Sequence, residues 1–478
     1  MPEFFINGQP VKAEKDQTVL QAALANGFFI PYFCWHPALS VAGNCRICVV
    51  EVEGDGGGWL EIACNMPVSE GMRILTDSEK VRARRKATMQ FITLNHPVDC
   101  GICDKAGECT LQDYHLAYNG TPSVSTDPKV RSTKFHPLSE RVVLDNERCI
   151  LCSRCVRFTR EISKTNALGI KQRGDTSLVR ASEDGALDQD RYSDNVIDLC
   201  PVGALLSSSF LHKARVWYLM ATPSVCPGCE RGCPVKLWHR KPEWHLKALD
   251  PRQNTSIARV TPLENPAVNG PWICNKGRDL ARIFERPRAE QALLHGNPED
   301  LATAIDAARR LVAEAKRPVA LVSSWGSNEE LAAFKRSLGA RFTVFVKQDC
   351  LPEPGECLQD DLLIRPDKNP NGARALTLFG DTALAFDADT DLVLIWGEGF
   401  DFARVPARAK TIFLNAYLQA ENGHADVFLP ISIQTERSGH YTNCEGIVSG
   451  FEACLPKKPS VADAEAVFAA LMPAVVPA

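Results

Sequence analysis

Arg148-Cys149-Ile150-Leu151-Cys152-Ser153-Arg154-Cys155, answered far downstream by Cys200-Pro201, is the stretch on which the reading of this chain turns. It places three thiols within seven residues, as C-x2-C-x2-C, and adds one remote cysteine followed by proline. That spacing holds a cube of iron and sulfide. Where such a run carries two cubes, the fourth cysteine of each motif, the one before proline, ligates the other cube. Cys200 is thereby the fourth ligand of the Cys149/Cys152/Cys155 set. The reciprocal set is missing: the position four after Cys155 is Thr159, and Val196, Ser193 and Asp190 stand where the other thiols would precede Cys200. One 4Fe-4S cluster is expected where the parent pattern has two, and zinc does not explain the spacing.

Working outward, residues 141–215 read as a ferredoxin-like α+β domain, and three further cysteine groups flank it. Upstream, residues 78–140 hold His96-x3-Cys100-x2-Cys103-x5-Cys109. Three thiolates need a fourth donor; His96 is favoured because it begins a proline-containing approach to the loop, and His115 is the competing candidate. A neutral imidazole in place of a thiolate leaves a cluster less negative and raises its potential, the lever used in Rieske centres. Ser78 is expected to cap a helix with an apolar stripe of Ala83, Ala87, Phe91 and Leu94. Arg82, Arg84, Arg85 and Lys86 would then form a solvated face. Residues 1–77 hold Cys34-x10-Cys45-x2-Cys48-x15-Cys64. Phe4 to Ile6, the Asn7-Gly8 turn and Pro10 to Val11 read as a hairpin. A helix capped by Asp16 and stopped at Gly27 should follow. A hairpin then a helix is how a β-grasp 2Fe-2S ferredoxin begins, although plant-type ferredoxins use a shorter first gap, C-x4-C-x2-C. A structural zinc site is the rival reading of this spacing. Downstream, residues 216–285 hold Cys226-x2-Cys229-x3-Cys233-x40-Cys274, with Lys276 close by. Zinc ribbons also use Cys-x2-Cys, but in pairs, and the second pair is absent.

Residues 286–478 carry no evident chemistry. Leu301 to Lys316 and the segment through Leu331 and Phe334 have helical periodicity. Pro318 to Ser323, Phe342 to Val346, Leu392 to Trp396 and Thr411 to Leu414 are short apolar runs. This alternation predicts a parallel sheet with crossover helices. Gly397-Glu398-Gly399 after one strand is a weak phosphate signal, and Cys350, Cys357, Cys444 and Cys454 lack ligand spacing. The composition, 45% hydrophobic and 23% charged with a net charge of −4, fits a globular chain of several domains and shows no basic excess suited to nucleic acid. The opening residues lack the pattern of a secretory signal. The apolar stretch from Ala466 is broken by Pro473 and falls short of the ~20 residues that cross a bilayer. A reducing compartment, where clustered thiols bind metal, is therefore expected.

In this order the modules resemble the large iron–sulfur subunit of bacterial NADH:quinone oxidoreductase (respiratory complex I), the 75 kDa-subunit family. Cys34/Cys45/Cys48/Cys64 look like its 2Fe-2S ligands and His96/Cys100/Cys103/Cys109 like its histidine-ligated 4Fe-4S site. Cys149/Cys152/Cys155/Cys200 and Cys226/Cys229/Cys233/Cys274 look like two more 4Fe-4S sites, the last found in only some members. Residues 286–478 are similar to a shortened molybdopterin-oxidoreductase α/β domain. Cys274-Asn275-Lys276-Gly277, Ala425 to Pro430, Glu436 and Asn443-Cys444-Glu445-Gly446 carry that similarity, while His440-Tyr441 departs from it. The resemblance implies one 2Fe-2S and three 4Fe-4S clusters, no molybdopterin, and no catalytic, flavin, nicotinamide or quinone site in this chain. It implies relay of single electrons from a flavin- and NADH-binding partner through the 2Fe-2S site, the Cys149 set and the His96 set to quinone-side iron–sulfur subunits, with the Cys226 set off the route. It also implies a peripheral place on the cytoplasmic side of a bacterial inner membrane, reached through partners. An NAD-linked formate dehydrogenase or an iron-only hydrogenase shares the N-terminal modules. The first needs a longer pterin domain and the second another cysteine set. A non-redox zinc scaffold is the remaining alternative.

Overall fold

The computed structural model describes residues 2–246, 251–347 and 371–472, in two compact units, one through Trp217 and one from Tyr218. Cys350 and Cys357 lie outside the described residues. Among those described, no helix is long and apolar enough to cross a membrane.

The first unit begins with the expected hairpin, Glu3–Ile6 paired with Gln9–Lys12. Asn7 and Gly8 both take positive φ, 50° and 79°, as a two-residue turn between right-twisted strands requires. The sheet runs Gln9–Lys12, Glu3–Ile6, Arg73–Leu75, Val49–Val52, Trp59–Ile62, parallel only where Glu3–Ile6 meets Arg73–Leu75. The helix Val19–Ala25 packs Val19, Leu20, Ala22 and Ala23 into the same core as Phe4, Ile6, Val50, Cys48 and Cys64. Its cap is Thr18, not Asp16. The Thr18 hydroxyl accepts from the Gln21 amide at 3.3 Å, and the Gln21 side chain accepts from the Thr18 amide at 2.9 Å. This reciprocal box satisfies two orphan donors, whereas Asp16 lies in a left-handed turn with φ 67°.

Ser78 caps the helix Glu79–Thr93 as expected, but the helix is rotated from the expected stripe. Val81, Arg85 and Met89 are buried, while Phe91 is 79% exposed. Arg85 is not on a solvated face: its Nη2 donates to the Val49 carbonyl at 3.0 Å and its guanidinium lies over the Tyr118 ring. A carbonyl and an aromatic face brought in from elsewhere outweigh the apolar periodicity of the helix itself.

Around the decisive motif, the helices Arg154–Glu161 and Asn195–Leu199 stand beside a small antiparallel sheet of Leu205–Ser207, Val142–Leu144 and His136–Pro137. Cys155 lies in the first turn of one helix and Cys200 directly follows the other. Where the reciprocal ligands would stand, the chain has buried polar chemistry. Asp190 accepts from the hydroxyls of Ser163 and Thr165 and from the Tyr192 amide at 2.8 Å, and Thr159 Oγ1 accepts from the Leu168 amide.

The second unit opens with an antiparallel sheet, Leu219–Val225, Pro234–Arg240 and Ile257–Pro262. It continues into a seven-stranded sheet in the order Asn297–Glu299, Ala292–Leu294, Val427–Pro430, Lys410–Asn415, Leu392–Trp396, Pro318–Ser323, Thr343–Lys347. The last five strands are parallel, as expected. The first two are an antiparallel edge that the expectation of a parallel sheet did not include. Leu301–Glu314 and Asn328–Ser337 are the expected helices, the latter started by a Ser327–Glu330 capping box.

Candidate metal centres

Each of the first three groups is gathered in the first unit. Cys34, Cys48 and Cys64 are 1% exposed, and the Cys34 amide donates to Cys45 Sγ at 3.5 Å. The thiols pair as Cys34 with Cys45 and Cys48 with Cys64. The hydrogen bond from Cys45 draws Cys34 down to about 5, with the Arg157 charge adding to it, while Cys45 and Cys48 are pushed up.

His96, Cys100, Cys103 and Cys109 line one cavity of about 280 Å³, together with His115 and Arg148. Burial, reinforced by Arg148 and Lys129, lowers His96 to about 4, so its imidazole is neutral near pH 7. His115 Nδ1 is 3.3 Å from the Asn119 side-chain amide. Both candidate imidazoles thus line the cavity. Gly203, from the loop after Cys200, closes against this site. A β-carbon there would lie 2.1 Å from Cys103 Sγ.

Cys149, Cys152, Cys155 and Cys200 line a single small cavity. Leu151 and Ser153 adopt left-handed φ of 53° and 60°, wrapping the chain between ligands, and the Leu151 amide donates to Cys149 Sγ at 3.4 Å. Burial pushes Cys149 up to about 12, Cys152 to about 11 and Cys155 well upward. Near neutral pH these thiols stay protonated unless positive charge or metal stabilises the thiolate.

In the second unit the Gly228 amide donates to Cys226 Sγ and the Gly277 amide to Cys274 Sγ, each at 3.4 Å. A β-carbon on Gly277 would be 3.5 Å from Cys226 Sγ and 3.8 Å from Cys274 Sγ, which puts the remote cysteine beside the local ones. Burial raises Cys226 and Cys233 well upward, and Lys276 opposes this at Cys226. The Asn443 phrase packs on this loop: the Cys444 amide donates to the Glu230 carbonyl at 3.0 Å and Glu445 pairs with Arg231. Cys454 is apart, its amide donating to the Thr435 carbonyl at 2.8 Å.

The donor sets fit iron–sulfur clusters. Among the described residues no three or more of His, Cys, Asp and Glu converge so as to hold a single ion. The Cys149 set instead surrounds a shared space, with an N–H aimed at sulfur, as a multi-atom anion demands.

Sequence reasoning missed three features near or beyond these sites. The arginines at 148, 154 and 157 are 1%, 8% and 4% exposed; their signal was cationic residues spaced inside a buried motif. Gly203 had no signal, because its need for smallness comes from Cys103. In the α/β sheet, a cavity lined by Trp325, Trp396, Glu398, Tyr417, Arg437 and Tyr441 lies at the carboxyl ends of parallel strands. Gly397 takes φ 86° there, and Lys347 Nζ donates to the Glu398 carbonyl.

Four family models match in succession: a 2Fe-2S iron–sulfur cluster binding domain over residues 2–79, an NADH-ubiquinone oxidoreductase-G iron–sulfur binding region over 85–122, the ferredoxin-like domain of NADH-quinone oxidoreductase subunit 3 over 139–206, and a molybdopterin oxidoreductase Fe4S4 domain over 219–286. NADH dehydrogenase (ubiquinone) iron–sulfur protein 1 of Solanum tuberosum is 38% identical, over 62% of this chain and 38% of that protein. The G subunit of the NADH-quinone oxidoreductase of Rickettsia typhi is 37% identical, over 58% of this chain and 39% of that protein. For the same subunit of Rickettsia bellii the figures are 32%, 74% and 49%. The chain therefore spans half or less of the length of these relatives. A chain of an NAD+-reducing nickel–iron hydrogenase in the H2-reduced state is 29% identical, over 45% of this chain and 91% of that one, with a TM-score of 0.39. With its iron–sulfur domains matched in order, the chain is similar, over part of their length, to bacterial and mitochondrial proteins named as the G subunit, the iron–sulfur protein 1 or the 75 kDa subunit of NADH-quinone (ubiquinone) oxidoreductases.

Proposed function

We propose that this chain is an electron-relay subunit of an NADH:quinone oxidoreductase. Cys34/Cys45/Cys48/Cys64 would hold a 2Fe-2S cluster on a β-grasp scaffold, and His96/Cys100/Cys103/Cys109, Cys149/Cys152/Cys155/Cys200 and Cys226/Cys229/Cys233/Cys274 would each hold a 4Fe-4S cluster. Bound there, the clusters would supply one-electron carriage between a flavin-bearing partner and quinone-side subunits, on the cytoplasmic side of a bacterial inner membrane. The chain's own residues do the rest. Leu151, Gly228 and Gly277 turn backbone N–H groups toward sulfur. The cores that include Cys48, Cys64 and Cys226 exclude water. His96 offers a neutral donor where a fourth thiolate would add charge. The observation that carries the reading is the repetition: four successive groups, each gathered around its own space or beside its own N–H donors. Anaerobic isolation of the protein, followed by iron and acid-labile sulfide analysis and electron paramagnetic resonance, tests it. Matched iron and sulfide with separable 2Fe and 4Fe signals are expected. Colourless, zinc-loaded protein would end the proposal.

A further inference from the structure

The gap of ten residues between Cys34 and Cys45 is longer than plant-type spacing requires, and its extra length is used against the Cys149 motif. Arg157 Nη2 donates to the Cys34 carbonyl and, at 3.3 Å, to the Cys152 carbonyl, while its Nη1 donates to the Ser40 carbonyl. One turn earlier, Arg154 Nη2 donates to the Trp35 carbonyl at 2.6 Å and Nη1 to the Leu199 carbonyl at 3.2 Å. Each guanidinium therefore holds a residue of the first ligand group, or its neighbour, to one of the Cys149 group or its neighbour. Asn44 adds a bond to the Leu151 carbonyl at 3.2 Å, and Ser40 is held by Glu161. Charge sharpens the point. Arg148, also buried, lies against Asp99 and Asp145. Arg154 and Arg157 form no ion pair with a carboxylate among the described residues. A buried cation without a paired carboxylate is costly; Glu161 acts on Arg157 from beyond ion-pair distance, and the charges that act on it more strongly are those of Cys34 and Cys152 on either side.

We propose that Arg157, seconded by Arg154, is a positioning residue shared by two redox sites: it fixes the spacing of the Cys34 and Cys149 groups and, as their common cation, raises the reduction potential of both. Added negative charge on either site is stabilised by the same guanidinium, so reduction of each becomes easier. The inference rests on the cluster assignment above and goes beyond it in tying two sites to one side chain.

The test is a redox titration of the full chain followed by electron paramagnetic resonance, comparing wild type, Arg157→Met and Arg157→Lys. In Arg157→Met both the 2Fe-2S signal and that of the Cys149 group should become harder to reduce, by about tenfold in the one-electron equilibrium, or ~59 mV. The Cys226-group signal should not move. Arg157→Lys keeps the charge and loses the fork, so at least half of each shift should be recovered while the magnetic interaction between the two reduced sites weakens. Signals of full intensity with both potentials unmoved, or with only one moved, overturn the proposal. Should the Met variant not retain iron, Arg157→Lys decides alone, and an unaltered magnetic interaction overturns the shared bridge. Wild-type protein without acid-labile sulfide would instead sink the cluster assignment, so the two failures are distinct.

Discussion

Gly203 shows how far a single hydrogen atom can matter beside a candidate redox site. Its missing β-carbon would stand 2.1 Å from Cys103 Sγ and 3.2 Å from Lys105 Cβ, with Arg148 Cδ just beyond. Buried side chains at that separation have no room to yield. We expect Gly203→Ala to weaken or abolish the His96-group signal while leaving the 2Fe-2S signal intact, as read by electron paramagnetic resonance. A variant with every signal at full strength would show that the loop can retreat. Cys152 makes the complementary case from the ligand side. Removing its sulfur takes away a donor and leaves a burial site shaped for an anion. Cys152→Ser should lose the Cys149-group signal and also lower the unfolding temperature of the first unit, and a variant retaining all signals would remove Cys152 from the ligand set. Of these two residues only Cys152 was legible in the sequence, because ligand spacing is local. What Gly203 touches lies a hundred residues earlier in the chain.

Elements were legible to the extent that their partners were. The helices Leu301–Glu314 and Asn328–Ser337 and the strands Pro318–Ser323 and Leu392–Trp396 follow from periodicity, since both faces of the sheet are covered by their own neighbours. The start of the helix Val19–Ala25 was misplaced by two residues: Asp16 is a common cap type, but Thr18 has the Gln21 partner three residues on. In Glu79–Thr93 the apolar pattern pointed Phe91 inward, while Val49 and Tyr118 hold Arg85 there instead. The Asp190 network was read only as missing cysteines. Its replacement by a carboxylate with three donors could not be seen, because Ser163, Thr165 and Tyr192 become its partners only after folding. Asp190→Ala would strand those donors in a buried site at about 1–3 kcal/mol each. A loss on the order of 3 kcal/mol in chemical unfolding of the first unit is expected, with unchanged iron content. An unchanged unfolding midpoint would show the network to be incidental.

At the scale of the whole molecule, three of the candidate sites lie in the unit through Trp217 and one in the unit from Tyr218. A pH experiment can address a buried lysine of the second unit. Burial holds Lys347 down to about 7, against the partial opposition of Glu398, while in the unfolded chain it titrates near its usual value of ~10.4. Between those values the unfolded chain binds the extra proton, so this group makes stability rise as pH increases from 7 toward 10. Below 7 both states are protonated and the contribution levels off at its least favourable. Lys347→Met should flatten that rise in the unfolding profile of the second unit. An identical slope in wild type and variant would mean that the ammonium is solvated in the native state.

The carboxylate network in place of a second cube has a consequence for the protein's life before it carries metal. One half of the ferredoxin-like domain is held by ordinary hydrogen bonds that need no metal, so that half is expected to keep its shape when iron is scarce. The cysteine half would then have a finished wall to close against when a cofactor arrives. The hydrogen-bonded half would serve the cysteine half as a mould.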